Sequence, residues 1–140
     1  MEKQVLLSIL SIQQFMAEKP EETRFVTEGT LRKVDGAIEI SYAESELTGL
    51  VGTMTTFRIE HDRVILQRSG AVQSKMSFII GQEDRSLYDM GFGALMITIR
   101  TERMQSDLTE DGGKLKVSYV ITIEEEAAGY IEYLIEVRLK

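Results

Sequence analysis

Cysteine and tryptophan are absent from the 140 residues, and proline and histidine occur once each, as Pro20 and His61. Without cysteine there are no disulfides, no thiol catalysis and no thiolate metal sites, although the compartment stays open. A lone imidazole with no second His or Cys cannot build the usual zinc site. His61 stands beside Asp62 between two strand-like segments and reads as an exposed turn residue. No apolar run approaches the roughly 18 residues a membrane span requires. Cations are the remaining shortage. Sixteen Lys and Arg face 23 Asp and Glu, a net charge of −7. That balance argues against nucleic acid, whose phosphates must be neutralised by Lys and Arg, and against anionic membrane surfaces. Val5–Ile12 resembles the core of a signal peptide, but Ser8 and Ser11 interrupt it and Gln13-Gln14 follows it. The reading is a first strand in a cytoplasmic protein.

What is present is alternation. Nearly every segment repeats with period two rather than 3.6. The strands expected are Val5–Phe15, Thr23–Val34, Ala37–Glu44, Gly49–Glu60, Val64–Gly70, Met76–Ile80, Leu87–Met90, Ala94–Met104, Lys114–Glu124 and Tyr130–Leu139. Ala17–Glu22, with the only proline, is a turn, and Asp35-Gly36 is a two-residue hairpin signal. Ser45–Thr48, Gly81–Ser86 and Asp107–Gly113 are loops, and Gly91-Phe92-Gly93 is a bend or bulge. Ile38, Ile40 and Tyr42 point inward, with Glu39, Ser41 and Glu44 outward. Leu115 to Ile123 and Ile131 to Leu139 give two further inward stripes at alternate positions. In Val5–Phe15 and Thr23–Val34 both faces are mixed, so their inner side stays open. Long strands joined as successive hairpins suit closure, which removes exposed edges. The expectation is all-β: a single antiparallel up-and-down β-barrel, with residues 1–140 forming one domain.

Val64–Gly70 contains the most informative side chain. Val64, Leu66 and Arg68 share one face, so a guanidinium continues an apolar stripe and requires a partner. Glu28 or Glu39 could supply it, or Arg68 could reach water at the barrel rim. The alternative is a ligand: a planar guanidinium fork matches a carboxylate. Tyr42, Tyr88, Tyr119 and Tyr133 are polar-tipped residues on or beside the inner faces. With Arg68 they are the candidate ligand-binding set. Arg100 lies opposite Leu95, Ile97 and Ile99 and belongs outside.

Nothing else has the spacing of a reaction site. Ser69-Gly70 lacks the G-x-S-x-G pattern and following helix of a nucleophile elbow. Gly91-Phe92-Gly93 is too short for a dinucleotide fingerprint. The acidic clusters Asp107–Asp111 and Glu124–Glu126 lack the spacing and fixed glycine of a calcium loop and belong to solvated loops. No catalytic residue, metal site or cofactor is assigned, and the chain does not read as an enzyme.

Three segments resemble a known family. RSGAV (Arg68–Val72), MGFGALMITIRT (Met90–Thr101) and QSDL (Gln105–Leu108) are similar to the YwiB-like family of bacterial proteins of unknown function, found mainly in Firmicutes. The resemblance extends over nearly the whole chain. It implies a calycin-like, lipocalin-like β-barrel and carries no established activity, ligand or site residue. The Gly-x-Trp signature of classical lipocalins is missing. The expected function is a non-enzymatic barrel that binds a small, partly apolar or anionic molecule in its interior. The alternative is a packed barrel acting as a homodimeric interaction module, and a barrel-mouth hydrolase or isomerase ranks last.

Overall fold

A computed structural model describes residues 2–15 and 18–140, the side chains of Ala127 and Ala128 excepted. Ten strands follow one another: β1 (Glu2–Phe15), β2 (Glu21–Val34), β3 (Ala37–Ala43), β4 (Thr53–Ile59), β5 (Val64–Gly70), β6 (Ser74–Phe78), β7 (Glu83–Asp89), β8 (Ala94–Ser106), β9 (Gly113–Ile123) and β10 (Glu126–Leu139). They form one antiparallel sheet in the order β6-β5-β4-β3-β2-β1-β10-β9-β8-β7. Each strand therefore pairs with its neighbour in sequence, except β6 and β7, which are the two edges of the sheet. The single long-range ladder joins β1 to β10, from Val5↔Leu139 to Phe15↔Gly129. The sheet curls until its edges meet, giving the expected up-and-down barrel.

Closure at the second seam, between β6 and β7, is partial. One antiparallel bridge joins Gln73 and Asp89, with N–H···O distances of 2.8 and 2.9 Å in the two directions. Further along, the Ser77 N–H donates to the Asp84 carboxylate at 3.0 Å, a side chain standing in for a missing ladder carbonyl. The elements at this seam are drawn together without a continuous ladder.

The mixed faces of the first two strands resolve in the barrel. Val5, Leu7, Ile9 and Ser11 point inward from β1, and Gly29 and Leu31 are buried on β2. One end of the interior is packed solid with Leu7, Leu31, Phe57, Leu66, Phe78, Leu115 and Ile135, all essentially without exposure. Burying side chains of this size is worth about 1.5–3 kcal/mol each.

Several boundaries depart from the sequence reading. β4 begins at Thr53 rather than Gly49, and the preceding loop runs from Glu44 to Gly52 and leaves Val51 58% exposed. The alternation of Val51 with Gly52 and Thr53 is that of a strand, but Gly49 and Gly52 both have positive φ, which turns the chain. β7 starts at Glu83, so the charge-rich segment read as a connection is mostly strand. Gly91-Phe92-Gly93 is the hairpin turn between β7 and β8, with Phe92 in solvent. Ile80 and Leu139 fall beyond the inward stripes and are exposed. Met16 and Ala17, the latter at the start of the expected Ala17–Glu22 turn, lie outside the described residues, and β2 begins at Glu21 within that span.

The loop expected around Glu124–Glu126 is a tight hairpin in which Ile123 pairs with Glu126. Asp35-Gly36 makes the expected two-residue turn with φ of 50° and 83°, whereas Glu124 and Glu125 take φ of 52° and 67° with no glycine. The left-handed region costs a residue with a Cβ about 1 kcal/mol. Glu124 compensates through its carboxylate, which accepts the Met96 N–H at 2.9 Å, and Glu125 makes no such contact. Replacing Glu125 by glycine is expected to raise stability by roughly 0.5–1 kcal/mol, read as a higher urea midpoint at unchanged m-value.

Candidate functional site

The other end of the barrel is hollow. A cavity of about 330 Å³ opens at the mouth formed by the Glu44–Gly52 loop, which contributes Leu47, Thr48 and Leu50. Tyr42, Arg68, Tyr88, Tyr119 and Tyr133 all line it, so the five residues selected from the sequence converge on one space. Arg100 is exposed on the outer surface and His61 in its turn, as expected.

Strand register explains the convergence. Tyr42 on β3 is opposite Thr55 on β4, Thr55 is opposite Arg68 on β5, and Arg68 is opposite Ser74 on β6. These four form one inward-facing row across half the barrel. From the far wall, Tyr133 on β10 lies opposite Ser11 on β1, and Tyr119 on β9 opposite Ile131 on β10. Arg68 spans the interior between the walls: its Nη2 donates to the Tyr133 hydroxyl at 3.2 Å. The rings pack as they converge, Phe57 against Tyr133 edge-on with centroids 5.9 Å apart and Phe78 against Tyr119 at 4.8 Å.

The ionic partner of Arg68 is Glu44. Its Oε2 lies 3.9 Å from Nε, with the Arg68 side chain 9% exposed and that of Glu44 2% exposed. Neither carboxylate anticipated from the sequence is available. Glu39 bonds Arg32 and Arg58 at 2.7 and 2.9 Å on the outer face, and Glu28 pairs with Lys140. Glu44 was expected outward, and that reading is overturned. A signal for its true place was available, because Glu44 continues the even-numbered stripe of Ile38, Ile40 and Tyr42. A carboxylate on such a stripe calls for the same question as Arg68. Thr55 Oγ1 donates to Glu44 Oε2 at 2.6 Å and Thr48 Oγ1 to Oε1 at 2.9 Å, so both oxygens are held. Thr48 belongs to the mouth loop, and no strand period could have assigned it to the site.

Two residues lining the cavity each hold a buried polar atom with no hydrogen-bond partner among the described residues: Arg68 at Nε and Ser11 at Oγ. The contact from Nε to Glu44 is too long for a hydrogen bond. Buried polar groups are rarely left in this condition. Burial works against the charge of Arg68. The Tyr133 hydroxyl that accepts its hydrogen bond, with Tyr119 and Tyr88 nearby, more than offsets this, and the guanidinium stays charged. Burial raises Tyr42, Tyr88 and Tyr119 above the ordinary tyrosine range. The negative charge of Glu44 adds to the effect at Tyr42, and the charge of Arg68 opposes it at all three. The cavity is therefore lined by neutral phenols around one ion pair. Among the described residues no cluster of three or more acidic or histidine side chains could hold a metal ion, and no helix is long and apolar enough to cross a membrane.

Comparison with known proteins agrees with this architecture. Residues 7–135 match the family described as "Domain of unknown function (DUF1934)". The chain belongs to this family. It is 30% identical over 106 residues to the uncharacterized beta-barrel protein YwiB of Bacillus subtilis, covering 76% of this chain and 73% of that one. The crystal structure of ywiB protein from Bacillus subtilis superposes with a TM-score of 0.82 at 25% identity, over 96% of this chain and 92% of that chain. The barrel is thus the fold of the DUF1934 family, and membership brings no activity with it.

Two outcomes follow from the site. Arg68→Ala leaves Glu44 buried opposite a void and is expected to cost about 3–5 kcal/mol, whereas Arg68→Met with Glu44→Gln is expected to recover most of that loss, measured by urea unfolding. The phenols give the second. An unfolded chain releases tyrosine protons near pH 10, while Tyr42, Tyr88 and Tyr119 hold theirs higher in the fold. Above that pH the unfolded state binds fewer protons. Stability is then complete below about pH 10 and falls as pH rises, by up to about 1.4 kcal/mol per pH unit for each such tyrosine. Urea midpoints at pH 9 and 11 check this, and Tyr42→Phe is expected to flatten the fall.

Proposed function

We propose that the barrel binds one small, partly apolar molecule in its open end and presents Arg68 to an acceptor group on that molecule, a carboxylate or a carbonyl oxygen. The observation that carries the reading is the Arg68 guanidinium, charged, largely buried and lining an open cavity, with one side-chain hydrogen bond among the described residues, to Tyr133. A volume of about 330 Å³ is at the lower end of the range for small-molecule sites. The walls suit such a molecule, since Phe25, Met76, Ile97 and Ile131 supply apolar surface between the tyrosine hydroxyls. In this reading the protein is calycin-like in use as well as shape: one barrel end packed for stability, the other open for a ligand. Tyr42, Tyr88, Tyr119 and Tyr133 are its contact residues together with Arg68. The reading places the protein in the cytoplasm and assigns it no catalysis, consistent with its acidic charge and lack of cysteine.

Naphthylacetamide and naphthylacetate, two bicyclic probes of nearly one shape, test the reading by isothermal titration of the full chain. One equivalent of at least one probe is expected to bind. In the doubly substituted Arg68→Met/Glu44→Gln protein, its fold verified by circular dichroism, affinity is expected to fall at least about tenfold, one lost charged hydrogen bond. Undiminished binding there would remove Arg68 from the site, and no binding to the native chain would remove the site.

A further inference from the structure

We infer that Glu44 acts as a charge filter, so that the cavity selects an uncharged, amide-bearing molecule and discriminates against a carboxylate of the same shape. The inference rests on the interior-binding reading and specifies its ligand class. Among the described residues, Arg68 and Glu44 are the only charged side chains lining the cavity, and their formal charges cancel. The cancellation is local, because the carboxylate lies 3.9 Å from the guanidinium Nε.

A glutamate free to swing away would matter little. Glu44 is not free: Thr55, itself buried in β4, holds one oxygen and Thr48 in the mouth loop holds the other. An anion that accepts a hydrogen bond from the guanidinium therefore comes within roughly 4–9 Å of a fixed negative charge in a medium of low dielectric. It also gives up its hydration on entering. A neutral carbonyl oxygen makes the same hydrogen bond without the repulsion and with a smaller desolvation cost. A second group completes the recognition. Ser11 lines the cavity on β1 opposite Tyr133, and its rotatable hydroxyl, without a partner among the described residues, can accept an N–H. An acceptor for Arg68 and a donor for Ser11 on one uncharged group describe a carboxamide.

Glu44→Gln removes the charge while keeping the shape, and the rotatable hydroxyls of Thr48 and Thr55 can bond an amide as well as a carboxylate. The native chain and this variant are titrated with naphthylacetamide and naphthylacetate at neutral pH. The native chain is expected to bind the amide roughly tenfold or more tightly than the acid, and Glu44→Gln to shift that ratio at least about tenfold toward the acid. A native chain that prefers the acid overturns the inference without recourse to any variant, as does a folded Glu44→Gln protein with the native ratio. Either result leaves interior binding intact. Binding of neither probe to the native chain overturns the interior-binding reading and this inference together.

Discussion

A guanidinium taken out of water costs several kcal/mol unless its surroundings return the hydrogen bonds and charge it leaves behind. Arg68 is held that way in the middle of the barrel, and the hollow end is built around it. Glu44 supplies the opposite charge, Thr55 and Thr48 fix Glu44, and Tyr133 reaches from the far wall to accept an N–H. The apolar half of the barrel needs no such arrangement. Its side chains fill the lumen from opposite strands, as barrels of this size allow. The boundary between the two halves falls where register places Tyr42, Thr55, Arg68 and Ser74 in one row.

The interior is divided between a hollow end and an end packed solid. That division has an energetic logic. A small domain depends on dense packing for a stability of a few kcal/mol, and hollowing the whole interior would sacrifice it. Concentrating Leu7, Leu31, Phe57, Leu66, Phe78, Leu115 and Ile135 at one end leaves the other free to carry polar groups and open space.

The alternation of side chains made most of this legible. Period two located nine strands and the end of β7, the Asp35-Gly36 turn and the inward position of Arg68, because each is a local property of the backbone. The charge-rich strand β7 was largely hidden for the same reason: Glu83, Asp84 and Arg85 have the composition of a loop, and only pairing with β8 makes them a strand. Glu44 was misread because a carboxylate at the end of a stripe is ordinarily in water, and nothing within ten residues of it in sequence discloses Arg68 as its partner. The contribution of Thr48 depends on how the mouth loop folds over the barrel end, and Tyr133 meets Arg68 only because the barrel closes. Pairwise contacts across a lumen have no signature in a one-dimensional pattern.

The ladder between β1 and β10 bears on how such a molecule is made. Val5 pairs with Leu139, so the strand synthesised first waits for the strand synthesised last among those described. Hairpins from β1 to β9 can form as the chain leaves the ribosome, but β1 keeps one edge unpaired, and the lumen stays open along that line until β10 emerges. During that interval the nascent sheet shows the row Val5, Leu7 and Ile9 to solvent beside a free edge, the combination that recruits chaperones or neighbouring chains. The cavity, with Arg68 on one wall and Tyr133 on the other, is therefore assembled only once β10 has joined β1.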